Sequence, residues 1–202
     1  MDLGLEQQDK DRITRSILEK YAKASFTPEG AFKYPTGAAA LRMLGYDEAV
    51  LGQLPATVQD AYCGVGNPFS LGAIEPGMAV LDIGSGAGVD TLVAALVVGP
   101  GGKAVGIDIT PEMVARARAN LELMKLTHVA FHQGSAEQLG FPSGGFDAVI
   151  SNGALNLVVD KEKASAEIFR VLKPGGRLMA ADQVLTGAPP RSTSDMVASW
   201  YR

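Results

Sequence analysis

From Met78 onward, short apolar β-branched runs alternate with helix-length amphipathic stretches, the pattern of a parallel sheet wrapped by helices. The runs predict strands over Ala79–Ile83, Ala104–Asp108, Val129–His132, Phe146–Ser151 and Gly176–Asp182, with helices over Gly88–Val98, Pro111–Lys125 and Asp160–Leu172 between them. Thr110-Pro111 marks a helix start, a hydroxyl cap before a first-turn proline, and Pro174-Gly175-Gly176 marks a stop. Upstream of Met78 the pattern differs. Ile13, Ile17, Leu18 and Tyr21 recur at helical spacing behind Asp9 and Asp11, predicting a helix that Thr27-Pro28 ends. Phe32 to Gly37 reads as a turn leading into a short Ala-rich helix that stops by Gly45, with further short helices from Asp47 and Pro55. Such a broken segment has no core of its own. Residues 1–75 are therefore expected to form a helical cap on a domain spanning 76–202.

With 202 residues, 47% of them hydrophobic, the chain can bury a full core without disulfide or metal staples. Lys and Arg number 18 against 22 Asp and Glu, a net charge of −4, so no positive field draws it to nucleic acid or to an anionic membrane. Six charges fall between Met1 and Arg12, where a secretory leader would need an apolar stretch. The longest clean apolar run, Leu92 to Val98, is far short of the ~20 residues of a membrane span. With a lone cysteine, these features lead to the expectation of a cytoplasmic protein. Cys63, His128 and His132 build neither a disulfide framework nor a tetrahedral metal site. The two histidines, four apart, share one strand face and read as surface or structural residues.

The segment Val80-Leu81-Asp82-Ile83-Gly84-Ser85-Gly86-Ala87-Gly88 is an apolar strand running into three alternate glycines at a helix start. Gly84 and Gly86 let the backbone turn and approach a ligand, and Gly88 lets the helix pack near the strand. Asp108 closes the next strand 20 residues beyond Gly88, the distance at which βαβ sites place an acid on ribose hydroxyls. An adenosine cofactor follows. Nicotinamide cofactors favour Gly-x-Gly-x-x-Gly facing a pyrophosphate, but here the third glycine comes one residue early and Asp82 puts negative charge beside the turn. A cationic amino group or sulfonium suits that charge. No Gly-Lys-[Ser/Thr] follows, so a Walker loop is excluded.

Over residues 60–185 the chain resembles the class I S-adenosylmethionine-dependent methyltransferases, with five motifs in order: Val80–Gly88, Gly106-Ile107-Asp108, Gly134-Ser135-Ala136-Glu137, Phe146–Asn152 and Leu172–Leu178. The resemblance implies an α/β, Rossmann-like fold with S-adenosyl-L-methionine as cofactor. It implies that Asp108 holds the ribose, that Ile109 and Met113 flank the adenine, and that Ser135 and the Ala136 backbone meet its edge. Gly84, Ser85 and Asn152 would surround the methionine end, with Asp82 near its amino group. Many members carry an acid where this chain has Ser135. Met113 also falls on a helical stripe with Ala117, Leu121 and Met124 that fits a core position equally well.

Cys63-Gly64-Val65-Gly66-Asn67-Pro68, Gly99-Pro100-Gly101-Gly102, Asp108–Met113 and Ser151–Leu157 resemble more narrowly the arsenite methyltransferase branch, which binds trivalent arsenic through several thiolates. Where that branch has cysteines, this chain has Val65 and Gly153. Only Cys63 remains, shifted by two positions, and it reads as a small buried hydrophobe. A small organic methyl acceptor is the main expectation, with arsenite as the alternative. Tyr34, Tyr62, Cys63, Asn67 and Asn156, together with Asn152, are the candidates to face it, and none stands out as a base. The antiparallel strands that complete this sheet in the family are expected beyond Arg202. That leaves an apolar edge over Leu178–Ala181 for self-association, unless a tail helix with Met196, Val197 and Trp200 shields it. A cofactor-binding module without turnover, and more remotely an NAD-dependent oxidoreductase, stay open as other readings.

Overall fold

In a computed structural model describing residues 5–184 and, beyond them, 186, 187, 192, 195, 197 and 200, four helices precede the sheet: α1 (Gln7–Ala24), α2 (Gly37–Met43), α3 (Glu48–Leu51) and α4 (Ala56–Gln59). A 3₁₀ turn over Pro68–Leu71 leads into β1 (Ala79–Ile83), α5 (Val89–Val98), β2 (Lys103–Asp108), α6 (Pro111–Met124), β3 (Val129–Gln133), β4 (Phe146–Asn152), α7 (Lys161–Val171) and β5 (Leu172–Ala181). All five strands are parallel, in the order β3-β2-β1-β4-β5. This is the parallel sheet wrapped by helices that the alternating pattern predicts, and the α/β, Rossmann-like arrangement that the resemblance implies.

The alternation along each strand sorts its side chains onto two faces. Leu81, Ile83, Val105, Ile107 and Val149 meet Ile168 and Val171 of α7, while Val80, Ala104, Ala148, Ile150 and Met179 meet Ala94, Ala95 and Val98 of α5. The outer side of α5 is covered too. Val89, Leu92 and Val93 share one cluster with Leu41, Tyr46, Leu51 and Val58 from the amino-terminal segment. Burial on both sides explains why Leu92–Val98 reads as an unbroken apolar run. Within that segment, Asp47 Oδ1 accepts from the Ala49 amide at 2.8 Å or less to start α3, and the buried Gln59 amide donates to the Leu51 and Leu54 carbonyls, both at 3.0 Å.

Two local expectations need correction. The Thr110 hydroxyl makes no capping bond to α6; Pro111 and the bond from the Thr110 amide to Asp108 Oδ1 (2.8 Å) set that start instead. β5 begins at Leu172 rather than Gly176, because Leu172 pairs with Phe146 and Arg177 with Ala148, so the intervening Pro and Gly residues form a bulge inside the strand. Among the described residues β5 pairs with β4 only, and Leu178 is 44% exposed. Met196 and most of the predicted tail helix lie outside the described residues. Val197 packs with Ile13 and Ile17, and the Trp200 indole donates to the Leu157 carbonyl at 3.0 Å, so these tail residues meet α1 and the loop after β4. Among the described residues no helix is long and apolar enough to cross a membrane.

Candidate active site

β1 lies between β2 and β4, so the connections leaving β1 and β4 diverge and open a crevice at the carboxyl ends of the strands. The cleft there encloses about 890 Å³, counting its open part, within the ~300–1,000 Å³ usual for small-molecule sites. Its floor depends on Gly84. With φ +73°, and with Ala154 Cβ in the space a side chain would need, only glycine fits. Gly88, at φ +85°, lies so close to the Phe131 ring that an added Cβ would come within 2.5 Å of it, which gives Gly88 the packing role expected of it. Asp108 ends β2 at the cleft wall. Its Oδ2 accepts from the Gly86 amide and its Oδ1 from the Thr110 amide, both at 2.8 Å. These bonds orient the carboxylate while leaving each oxygen acceptor capacity for a ligand hydroxyl. Burial raises its pKa, and the two amide bonds oppose that rise.

A narrower chamber of about 320 Å³ adjoins the glycine turn, lined by Asp82, Ser85, Asp90, Tyr62, Cys63 and Gly64 among others. Asp82 and Asp90 are both buried. Thr91 Oγ1 donates to Asp82 Oδ2 at 2.6 Å, Tyr46 donates its hydroxyl to Asp90 Oδ1 at 2.6 Å, and Asn152 Nδ2 donates to Asp90 Oδ2 at 2.9 Å. Burial pushes Asp90 up to about 6 against these bonds. It pushes Asp82 well above the usual carboxylate range, with the Asp90 charge adding to the rise. Among the described residues neither acid forms an ion pair, and two such acids favour a positively charged ligand group and repel a pyrophosphate.

The structure brings most of the expected residues to these two spaces. Gly84, Gly86, Asp108, Ile109, Ser135, Ala136, Asn152 and Cys63 line the cleft, and Asp82, Ser85 and Tyr62 line the chamber. The Ser85 hydroxyl turns toward Gly106, where an added Cβ would come within 2.8 Å of it, so Ser85 offers the chamber its backbone. The Ser135 hydroxyl accepts from the Glu137 amide at 3.1 Å. Burial, followed by the charges of Asp108 and Asp90, pushes the Cys63 thiol up to about 12, so it stays protonated.

Five candidates line neither space. Gly88 is one of them, because it packs against Phe131 and Ala117 instead of facing a ligand. Met113 is buried in the core beneath Gly86, as the apolar stripe on α6 allows. Tyr34 stands behind the wall and donates to the Cys63 carbonyl at 3.1 Å. Asn67 caps the 3₁₀ turn, accepting from the Phe69 amide at 3.0 Å, and its Nδ2 donates to the Gly45 carbonyl at 3.1 Å. Asn156 faces the groove between α7 and β5, with its amide bonded to Asp182 Oδ2 at 2.9 Å. Of the histidines, His128 Nε2 meets the Ala95 carbonyl at 3.0 Å and His132 stacks edge-on with Phe141.

Sequence reasoning missed Tyr46, Asp90 and the α1 wall of Thr14, Ile17 and Tyr21. An acid inside the otherwise apolar start of α5 was the available signal for Asp90.

With that geometry in view, the chain belongs to the methyltransferase domain family, whose model matches residues 74–200. Its relatives make the likeness narrower. It is 39% identical to an arsenite methyltransferase of Halobacterium salinarum over 155 residues, covering 77% of this chain and 39% of that protein. It is also 39% identical over 110 residues to the ubiquinone/menaquinone biosynthesis C-methyltransferase UbiE of Pasteurella multocida, covering 54% and 41% of the two chains. Among solved structures it superposes on an arsenic(III) S-adenosylmethionine methyltransferase of Chlamydomonas reinhardtii with a TM-score of 0.61 and 35% identity, over 74% of this chain and 50% of the other. The chain thus spans half or less of the length of each. Family and fold together imply S-adenosylmethionine as cofactor. The residues fit that molecule, with an oriented carboxylate that suits ribose at one end and two buried acids that suit an ammonium at the other.

Proposed function

We propose that this chain carries the cofactor site of a methyltransferase that moves the methyl group of S-adenosylmethionine to a small organic acceptor by in-line displacement. The observation that carries the reading is the pairing of Asp108, fixed by two backbone amides, with the buried Asp82 and Asp90 at the other end of one continuous site. In this reading Asp108 takes the ribose hydroxyls, Ile109 flanks the adenine, and Ser135 and the Ala136 backbone meet its edge. Gly84, Gly86 and the Ser85 backbone border the methionine part, and Asp82 faces its amino group. Bound there, the cofactor supplies an already activated methyl carbon, so the protein's contribution is orientation and exclusion of water. A cytoplasmic setting accords with the free Cys63 thiol.

The choice of an organic acceptor over arsenite rests on Val65 and Gly153. A Cβ on Gly153 would lie 3.2 Å from a Val65 methyl, so the two positions that carry cysteines in the arsenite branch are neighbours here and form an apolar contact. Trivalent arsenic needs soft thiolates, and the protonated Cys63 does not replace two of them. Incubation with methyl-labelled cofactor and a panel of phenols, amines, carbon acids and arsenite is the test. Label is expected in an organic acceptor; sustained methylation of arsenic would overturn the acceptor assignment. Cofactor binding with no labelled product from any acceptor would favour a binding module.

A further inference from the structure

Asn152, at the end of β4, is held by partners from three segments. Its Oδ1 accepts from the Val65 amide at 2.8 Å and the Gly66 amide at 3.0 Å, and its Nδ2 faces the Gly66 carbonyl (2.8 Å), the Tyr62 hydroxyl (3.0 Å), the Tyr46 hydroxyl (3.2 Å) and Asp90 Oδ2 (2.9 Å). Tyr62 donates to the Gly66 carbonyl at 2.6 Å and lies 3.2 Å from the Tyr46 hydroxyl, which in turn donates to Asp90 at 2.6 Å. Asp90 is thus the one ionisable carboxyl in a buried cluster whose other members are amides and phenols. It accepts one bond from the amino-terminal segment and one from the sheet. The loop held in this way supplies Ala61, Tyr62, Cys63 and Gly64 to the wall of the small chamber, while to the cleft that holds Asp108 the loop supplies only Cys63 and the cluster only Asn152.

We infer that Asp90 is a positioning residue: by fixing the Asn152 amide and the Tyr46 hydroxyl it latches the 61–66 loop onto the carboxyl end of β4, and so shapes the methionine end of the site without shaping the ribose end. The inference rests on the functional reading above for what the chamber holds, and the latch itself stands on the hydrogen bonds alone. Replacing the carboxylate by an amide sharpens the point. An amide at this position has one acceptor oxygen where two donors converge, so either the Tyr46 hydroxyl or the Asn152 Nδ2 loses its bond to residue 90 and is left with Gly66 and Tyr62, which lie on the loop itself. Charges and titratable groups facing the cluster are Asp82 from β1, Tyr46 and Tyr62 from the amino-terminal segment, and Cys63 in the chamber wall, with Asp108 in the adjoining cleft acting on Asp82 and Cys63 through its charge.

The Val65 and Gly66 amides, both bonded to Asn152, report the latch directly. In Asp90→Asn their hydrogen exchange should speed up at least ~10-fold, and S-adenosylmethionine should bind about 10-fold more weakly while adenosine stays within about 2-fold, the loss expected for one charge-assisted bond. Tyr46→Phe removes one hydroxyl and keeps the ring against Tyr62 and Phe69, so it should show the same pattern, and it carries the test if Asp90→Asn does not fold. Unchanged exchange at 65 and 66 in a folded variant overturns the latch. Equal weakening of both ligands overturns its restriction to the methionine end. If the unaltered chain binds neither ligand, the cofactor reading fails, and the exchange measurement still decides for or against the latch.

Discussion

The two ends of the cleft are built by opposite means. Around Asp108 the backbone makes the site: glycines of one turn, two main-chain amides and a strand end, all drawn from residues 82–88 and 106–110. Around Asp90 the side chains of Tyr46, Tyr62, Asp90 and Asn152 make it, gripping the main chain of Val65 and Gly66. A site made of backbone is intolerant of added atoms, because there is no side chain to move aside. A site made of side chains tolerates shape changes better, and fails when a donor or acceptor is lost without replacement.

The sharpest way to break the comparison is Gly84→Ala, which adds one methyl group against Ala154 in a left-handed backbone conformation. A loss of about 2–5 kcal/mol in folding stability is expected, from backbone strain and overpacking together. Thermal unfolding measures it, and a loss below half a kcal/mol would mean that the turn is not rigid. Asp108→Ala comes next. It should weaken S-adenosylmethionine and S-adenosylhomocysteine alike by about 1.5–3 kcal/mol, since both carry the ribose. Calorimetric titration reads both affinities; an unchanged pair with an intact fold would remove Asp108 from the ribose.

At the other end the contrast appears in pH dependence. Burial raises Asp90 from 3.8 to about 6, so between those values the folded chain keeps a proton that the unfolded chain has released. The stability this adds is complete below about pH 3.8 and is lost as pH rises through about 6. Asp90→Asn should therefore remove about 1–3 kcal/mol of falling stability between pH 4 and 7, as a shift of this size implies. Denaturant unfolding at several pH values gives the slope, and identical slopes in the two proteins would show that Asp82 carries the proton. The smallest effect concerns the sheet edge. Because β5 is paired on one side only among the described residues, amides facing its open side should exchange faster than those of β1, and light scattering should show association rising with concentration. A monomer with equally slow exchange in both strands would mean that the edge is covered.

The same contrast explains how much was legible in the sequence. Strands β1 to β4 fall within a residue or so of their expected bounds because each is a short apolar run with a clear stop. Gly84, Gly86 and Asp108 were readable because a glycine turn after an apolar strand and an acid closing the next strand are local patterns, even though the contact of Gly84 with Ala154 is distant in the chain. β5 starts early because its pairing with β4 is tertiary and takes in a bulge that Pro174 and Gly175 would, by local preference, place outside a strand. Asn67 and Asn156 were misplaced because a polar residue near a motif gives no direction for its side chain. Asp90 and Tyr46 went unread as a pair because nothing local connects them; the hydrogen bond that joins them spans 44 residues.

The bond from Asn152 to Tyr46 spans 106 residues, the one from Asn152 to the Val65 amide 87, while Thr110 reaches Asp108 across two. Closing such long loops is the slow part of reaching a native chain, since their entropy is lost before the contact forms. The order of assembly follows. The βαβ units that carry the glycine turn can organise early from near neighbours, and residues 37–66 lock last, when β4 has joined the sheet and Asn152 has a fixed position. During refolding, the Asp108 end of the site should exist before the Asp90 end. A rapid-mixing experiment should find protection of amides in β1 and β2 ahead of protection at Val65 and Gly66.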